Sequence, residues 1–358
     1  MSVATKLPYR DRIAQLIKKF PVSIDTDVVI EGRMPTSANS EFLINKEQGD
    51  WAERIVRSAI NESSLDYVAL RYGRGDTIAA GDPGFAKFYT DYQHELNTIG
   101  KKPDILLFRK ADAPTDIAAL ERPEVVSRAV AAIEVRSSSF LCKKYKAAMA
   151  NRMATAECRC MALRDQILQA PYGDLLKWKK PAIHAMLENA KADVFRELTF
   201  RAVSWSATEE LATLSSLLKD LKANIALLHK RDYLSITPKV EDIALVNRWI
   251  AQFNVPHFYL QVFFDSAYMI SFEDILSLCC DPARDGSDFS IETDVKNQGK
   301  TTVKVNVDAG KPVIGKIDMP THASAMKELD RGRLQFYVKF DDSRGYLDLN
   351  AFNRAIAS

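Results

Sequence analysis

Apolar and polar positions change period several times along the chain, and each change marks an element. Residues 10–20 (RDRIAQLIKKF) space their apolar side chains helically with basic ones between, which predicts a helix. The next twenty residues lose that period and read as an irregular connection. Residues 45–62 (NKEQGDWAERIVRSAINE) restore it, with Ala52, Val56 and Ala59 on one stripe and Glu53 beside them. LDYVALRYG at 65–73 reads as a strand, and RGDTIAAGDPGF at 74–85 as a Gly-rich loop whose RGD tripeptide is a chance occurrence.

KKPDILLFRK at 101–110 is a strand entered through Pro103, where the missing N–H does little harm. About twenty residues of loop and turn lead to VAAIEVR at 130–136, a second short apolar strand that carries Glu134 and Arg136. From 141 to 170 the chain is helical, and Ser137, Ser138 and Ser139 are placed to cap its first turn. Helical pattern continues through 182–195 and 207–231, without repeats or low complexity. VPHFYLQVFFD at 255–265 is a strongly apolar strand expected at the centre of the sheet, followed by a short helix at 271–280. The tail turns to strands: FSIETDV and TTVKVNV flank NQGK as a hairpin, and RLQFYVKF alternates again. The order helix, strand, strand, strand, helix, strand is a mixed α/β layer arrangement.

Bulk properties narrow the picture only a little. With 358 residues, 47% of them hydrophobic and 27% charged, the chain can bury a full core, and long disorder is not expected. A net charge of +2 is too mild to announce a polyanion binder, so any such site must come from local clustering. The five cysteines have neither zinc-finger spacing nor an accompanying histidine pattern, and they suit a reducing compartment. No apolar run has the form of a signal peptide or the length of a membrane span, so a cytoplasmic protein without a membrane partner is expected.

The chemistry gathers on two strands. Asp104 begins one and Glu134 lies within the next, so pairing of these neighbours would bring two carboxylates together at one end of the sheet. Strand alternation puts Glu134 and Arg136 on one face, with Ile133 and Val135 on the other. A charged pair in a buried strand is costly unless it binds something. Two carboxylates, completed by water and phosphate oxygens, form the kind of site Mg²⁺ prefers, and such an ion can activate water against a phosphodiester.

These residues resemble the PD-(D/E)xK nuclease superfamily, with Pro103-Asp104 as its PD and Glu134-Val135-Arg136 as its acid-x-base half-motif. In that superfamily an acid on the preceding helix often joins the site, which implicates Glu53, with Glu47 behind it. MPTSANSEFLINKEQGDWAE, KKPDILLF, IEVRSSSF and VPHFYLQVFFDSAYMISFEDIL more narrowly resemble the AccI family of restriction endonucleases. That resemblance implies a restriction-endonuclease-like αβββαβ core within a single domain over 1–358. The core would span approximately 46–150 plus 255–280, with a helical insertion at 151–250 and a β-rich part at 286–358. It further implies a Mg²⁺-dependent type II enzyme, a homodimer that cuts double-stranded DNA at a short, roughly palindromic site and needs no nucleotide cofactor. A repair or recombination nuclease of the same fold and a catalytically degenerate DNA-binding protein are the alternatives.

Arg136 departs from the superfamily pattern, in which lysine is more common. Arginine stays protonated, so it can clamp phosphate or developing charge but cannot take a proton from water. Lys143 and Lys146, early on the following helix, are the nearest substitutes. The serines are turn formers with a possible phosphate contact, because no histidine stands near them to make a nucleophile. Gln261 reads as a structural amide near the site. Lys143, Lys144 and Lys146, and the run Lys177-Trp178-Lys179-Lys180, could track a DNA backbone; Arg71 and Arg74 flank the Gly-rich loop where a side chain could reach a groove. Base readers are sought among Arg33, Thr36, Ser37 and Asn39, and among Lys296, Asn297, Gln298 and Lys300.

Overall fold

The computed structural model describes residues 7–35, 38–73, 78–294, 300–329 and 332–357. The chain divides into two compact units, residues 1–142 with 234–358, and residues 143–233.

The first unit opens with α1 (Tyr9–Lys19) and α2 (Ser40–Ser63). Asn39, sought above as a base reader, caps α2 by accepting the Phe42 N–H at 2.7 Å. Trp51, Ala52, Ile55, Val56, Ala59 and Ile60 then recur at helical spacing and are all buried against the sheet. Strand β1 (Tyr67–Arg71) follows, then α3 (Phe85–Thr98), β2 (Ile105–Arg109), the single turn α4 (Pro123–Val126) and β3 (Ala131–Ser137). Helix α3 gives no clear apolar stripe because only Leu96 is buried; the rings of Phe85, Phe88, Tyr89 and Tyr92, partly buried, meet one another along it.

Helix α5 (Cys142–Leu168) leads into the second unit, which adds α6 (Tyr172–Lys179), α7 (Pro181–Glu188) and α8 (Glu209–Leu228) around a core that includes Cys160, Leu163, Phe195, Leu214 and Leu218. The serines before α5 do not cap it. Its first N–H, at Cys142, donates instead to Asp265 at 2.8 Å.

The chain returns to the first unit through β4 (Ser235–Ile236) and α9 (Val240–Phe253), then β5 (His257–Val262), β6 (Ala267–Ser271) and α10 (Phe272–Cys279). The tail forms β7 (Phe289–Asp294), β8 (Lys300–Asn306), β9 (Lys311–Ile317), β10 (Thr321–Leu329), β11 (Arg333–Asp341), β12 (Gly345–Leu347) and α11 (Leu349–Ala357). Strands β7 and β8 pair antiparallel, as the hairpin pattern requires, although residues 295–299 lie outside the described residues. The tail also ends in a helix that the strand pattern does not foreshadow.

Among the described residues the main sheet runs β1-β2-β3-β5-β6-β9-β12. Every pair in it is antiparallel except β3 with β5, which are parallel, a pairing that needs a long crossover connection. The sheet, with α2 before it and α5 between β3 and β5, carries the expected αβββαβ order inside a mixed α/β fold. Its β2, β3 and β5 are buried on both faces. Ile105, Ile133, Val135, Phe258 and Leu260 meet α2 on one face. On the other, the His257 ring lies 6.1 Å from Trp249 of α9 and 5.9 Å from Phe272 of α10. Each large apolar side chain wholly buried this way contributes about 2 kcal/mol. Among the described residues no helix is long and apolar enough to cross a membrane.

One glycine fixes how β2 enters the sheet. Gly100 holds a left-handed φ of 84°, and a Cβ there would stand 2.8 Å from the Trp249 backbone nitrogen and closer still to the Leu245 carbonyl oxygen. The chain thereby passes directly over α9, and the Lys101 N–H donates to the Leu245 carbonyl at 3.1 Å. Gly84 has the same φ of 85° but open space around it. Urea unfolding should show Gly100→Ala losing about 3 kcal/mol through strain plus overlap, and Gly84→Ala only about 1 kcal/mol. Equal losses at the two positions would refute the close approach to α9.

Candidate active site

Four strand ends meet at one edge of the sheet. Antiparallel pairing sets Arg71 of β1 opposite Ile105 and Ile105 opposite Ile133, while parallel pairing sets Arg136 beside Gln261 of β5. The β2–β3 register, carried one residue further, puts Asp104 opposite Glu134. Asp104 stands just before β2 begins, so the Val135 N–H lacks a strand partner there; the Asp104 Oδ2 accepts it at 2.7 Å. The Tyr72 and Gly73 N–H groups close on the Asp104 carbonyl at 2.9 and 3.2 Å. Gly73 lies so near that a Cβ on it would stand 3.1 Å from the Asp104 Cα.

Glu134 is only 2% exposed, and its charge is met by two cations. Its Oε1 lies 2.8 Å from the Lys101 Nζ and 3.0 Å from an Arg136 guanidinium nitrogen. Both cations also reach the Asp242 Oδ2, Lys101 at 3.0 Å and Arg136 at 2.9 Å. Four charges of alternating sign thus close a ring. Asp242 comes from the first turn of α9, 106 residues beyond Arg136 in sequence.

Burial opposes charge on each of these groups, and within the ring the opposite charges outweigh it for all four members. Lys101 and then Arg136 hold Glu134 below the usual glutamate range and bring Asp242 down to about 2. Burial likewise pulls Arg136 down, but Glu134 and Asp242 more than compensate, so it stays protonated. Lys101 loses to burial and to Arg136, yet Asp242 and Glu134 raise it above the usual lysine value. Asp104 goes the other way: burial, then the charges of Glu134 and Glu53, push its carboxyl well above the usual range.

Two features suit a divalent cation. The Glu134 Oε2 is buried without a hydrogen-bond partner, and Asp104 beside it is short of positive charge. Among the described residues no three His, Cys, Asp or Glu side chains gather as a metal-holding group, and Asp104 and Glu134 are the two carboxylates available here. That set fits Mg²⁺, which keeps several waters and takes one or two carboxylates with phosphate oxygens.

The other candidates divide. Glu53 of α2 acts on Asp104 through its charge and lies 3.6 Å from the Arg71 guanidinium; Glu47 stands nearly two turns earlier on the same helix. Arg71, Asp50, Glu53, Arg54 and Arg57 line a cleft of about 200 Å³. Gln261 is buried beside Arg136. Ser137 ends β3 at the same sheet edge, and the Ser138 N–H extends the ladder to the Val262 carbonyl at 2.9 Å. Lys143, Lys144 and Lys146, with Lys177–Lys180, belong to the second unit, whereas every member of the Glu134 ring belongs to the first. Lys179 packs over the Trp178 ring at 4.6 Å. Arg74, Thr36, Ser37, Lys296, Asn297 and Gln298 lie outside the described residues.

Lys101 and Asp242 escaped the sequence reading. The basic pair directly before Pro103-Asp104 is the available signal for Lys101. Lys102 goes instead to Glu95 at 3.0 Å. Nothing local marks Asp242.

The ring's neighbours on β5 are poorly paired. Both His257 ring nitrogens and the Tyr259 hydroxyl are buried without hydrogen-bond partners. Burial lowers the His257 pKa from the usual 6.5 to about 4. Between those values the unfolded chain binds a proton that the native protein refuses, so stability falls as pH falls through this window. Denaturant unfolding of the wild type should lose about 2 kcal/mol more than His257→Leu between pH 7.5 and pH 5. Parallel pH profiles would show that His257 charges freely in the native state.

Comparison with curated proteins and with solved structures gives no match. The family model of the AccI restriction endonucleases, by contrast, matches residues 7–357, nearly the whole chain, and the protein belongs to that family.

Proposed function

We propose that this nuclease is a type II restriction enzyme: a homodimer that hydrolyses double-stranded DNA at a short palindromic site, with Mg²⁺ held by Asp104 and Glu134. The observation that carries the reading is the β2–β3 register, which sets those carboxylates opposite each other with the Glu134 Oε2 buried and unpartnered. Symmetric DNA is most simply met by a symmetric pair of subunits.

Each residue has a separate task. When bound, Mg²⁺ supplies Lewis acidity at the phosphate and an acidified water. Asp104 and Glu134 hold it, and Glu53 adds negative charge from α2. Lys101 and Arg136, which meet the Glu134 Oε1, stabilise the charge that grows on the phosphate oxygens in the transition state. Neither cation takes the attacking water's proton, because both are held protonated by Glu134 and Asp242. That proton leaves to solvent or to a substrate phosphate oxygen. Lys101 fills the place of the customary lysine, arriving from the entry to β2, and Lys143 is not required for that role. Ser137 and Ser138, at the end of β3, are placed to meet the DNA backbone.

Incubation with phage DNA should give discrete fragments with Mg²⁺ and none with EDTA. Glu134→Ala and Lys101→Ala should each slow cleavage at least about 100-fold, and Lys143→Ala should leave the rate close to wild type. Binding to the cleaved fragment in Ca²⁺ should survive in Lys101→Ala. Smears or junction-dependent cuts would favour a repair nuclease; normal cutting by Glu134→Ala would refute the site.

A further inference from the structure

The cleft beside Glu53 has more positive charge than its own acids consume. Asp50, Glu53, Arg54 and Arg57 follow one another at helical spacing along α2, and Arg71 faces them from the end of β1. Asp50 is taken by Lys46 at 2.7 Å and reaches Arg71 at 3.9 Å. Glu53 lies 3.6 Å from Arg71. Arg54 turns away to the Phe340 carbonyl at 2.5 Å and to Asp341 at 3.8 Å.

Arg57 remains. It is half-buried, and among the described residues it makes neither an ion pair nor a hydrogen bond. Glu53 and Arg57 stand four apart with the acid nearer the helix start, the favoured order for a helical pair, yet that pair is not formed. A guanidinium drawn partly out of water without a partner is unfavourable unless an anion completes it. Its planar fork suits a phosphate in particular.

Resting on the DNA-cutting reading above, we infer that Arg57 and Arg71 form a binding site for one backbone phosphate of DNA, close along the strand to the phosphate that is cut. The location follows from Glu53. That carboxylate is one turn from Arg57, lies against Arg71, and is near enough to Asp104 to raise its pKa. A strand whose phosphate reaches Asp104 and Glu134 therefore passes the cleft mouth. Arg71 then exchanges part of its interaction with Glu53 for the phosphate, while Arg57 acquires its first anionic partner. Such a contact positions the strand and reads no base.

The test is binding of a fluorescein-labelled random-sequence duplex, followed by anisotropy in Ca²⁺ over a series of KCl concentrations. Arg57→Ala should weaken binding about fivefold at low salt and reduce the slope of log K against log[KCl] by about 1. Arg57→Lys should restore most of the slope, and Lys87→Ala, on the exposed side of α3, should match the wild type. Arg57→Gln repeats the measurement if the alanine variant fails to fold. A wild-type slope in a folded Arg57 variant overturns the inference, even if affinity falls. Absence of salt-dependent binding by the wild type would instead overturn the DNA-cutting reading itself.

Discussion

The site depends on keeping Glu134 ionised inside a sheet. A carboxylate that is 2% exposed on a doubly covered strand would ordinarily take up a proton. Two cations on its Oε1 prevent this, and a second carboxylate, Asp242, prevents those cations from being an uncompensated buried excess. Removing one member leaves an unpaired buried charge, which costs far more than the net worth of an intact pair. The ring is therefore better understood as a device for holding charge in place than as a source of stability.

That device constrains the fold around it. Lys101 reaches Glu134 only because Gly100 lets the chain pass against α9, and the same helix delivers Asp242. The entry to β2 and the start of α9 are thus fixed together. The parallel pairing of β3 with β5 adds His257 and Tyr259 to the same face, where their buried polar atoms have no hydrogen-bond partner among the described residues. The opposite face packs a continuous apolar cluster against α2, from Trp51 and Ala52 to Ile60.

Much of this was legible in sequence wherever one element carries its own signal. The stripe from Trp51 to Ile60 marks α2, and the short apolar runs around Asp104, Glu134 and Gln261 mark the three central strands. Their order makes β2 and β3, with Asp104 and Glu134, neighbours in the sheet. Helix α3 stayed hidden because it buries one side chain, and β6 because it is short and follows a tight turn. Lys101 and Asp242 were out of reach for a different reason. Each is defined by a contact between distant segments, and no period or spacing encodes such a contact. The serine cap failed similarly, since Asp265, remote in sequence, takes the first N–H of α5.

The ring also explains how arginine can stand at position 136. A lysine there would have to be both the clamp on Glu134 and the flexible ammonium near the phosphate. With Lys101 arriving from the β2 entry, Glu134 and Asp242 are each met by two cations from different chain segments. One terminal nitrogen of the Arg136 guanidinium meets both Glu134 and Asp242, at 3.0 and 2.9 Å. Lys101 makes the same two contacts with a compact ammonium, at 2.8 and 3.0 Å. The departure from the expected half-motif leaves the positive charge beside Glu134 shared between two chain segments, the entry to β2 and β3 itself.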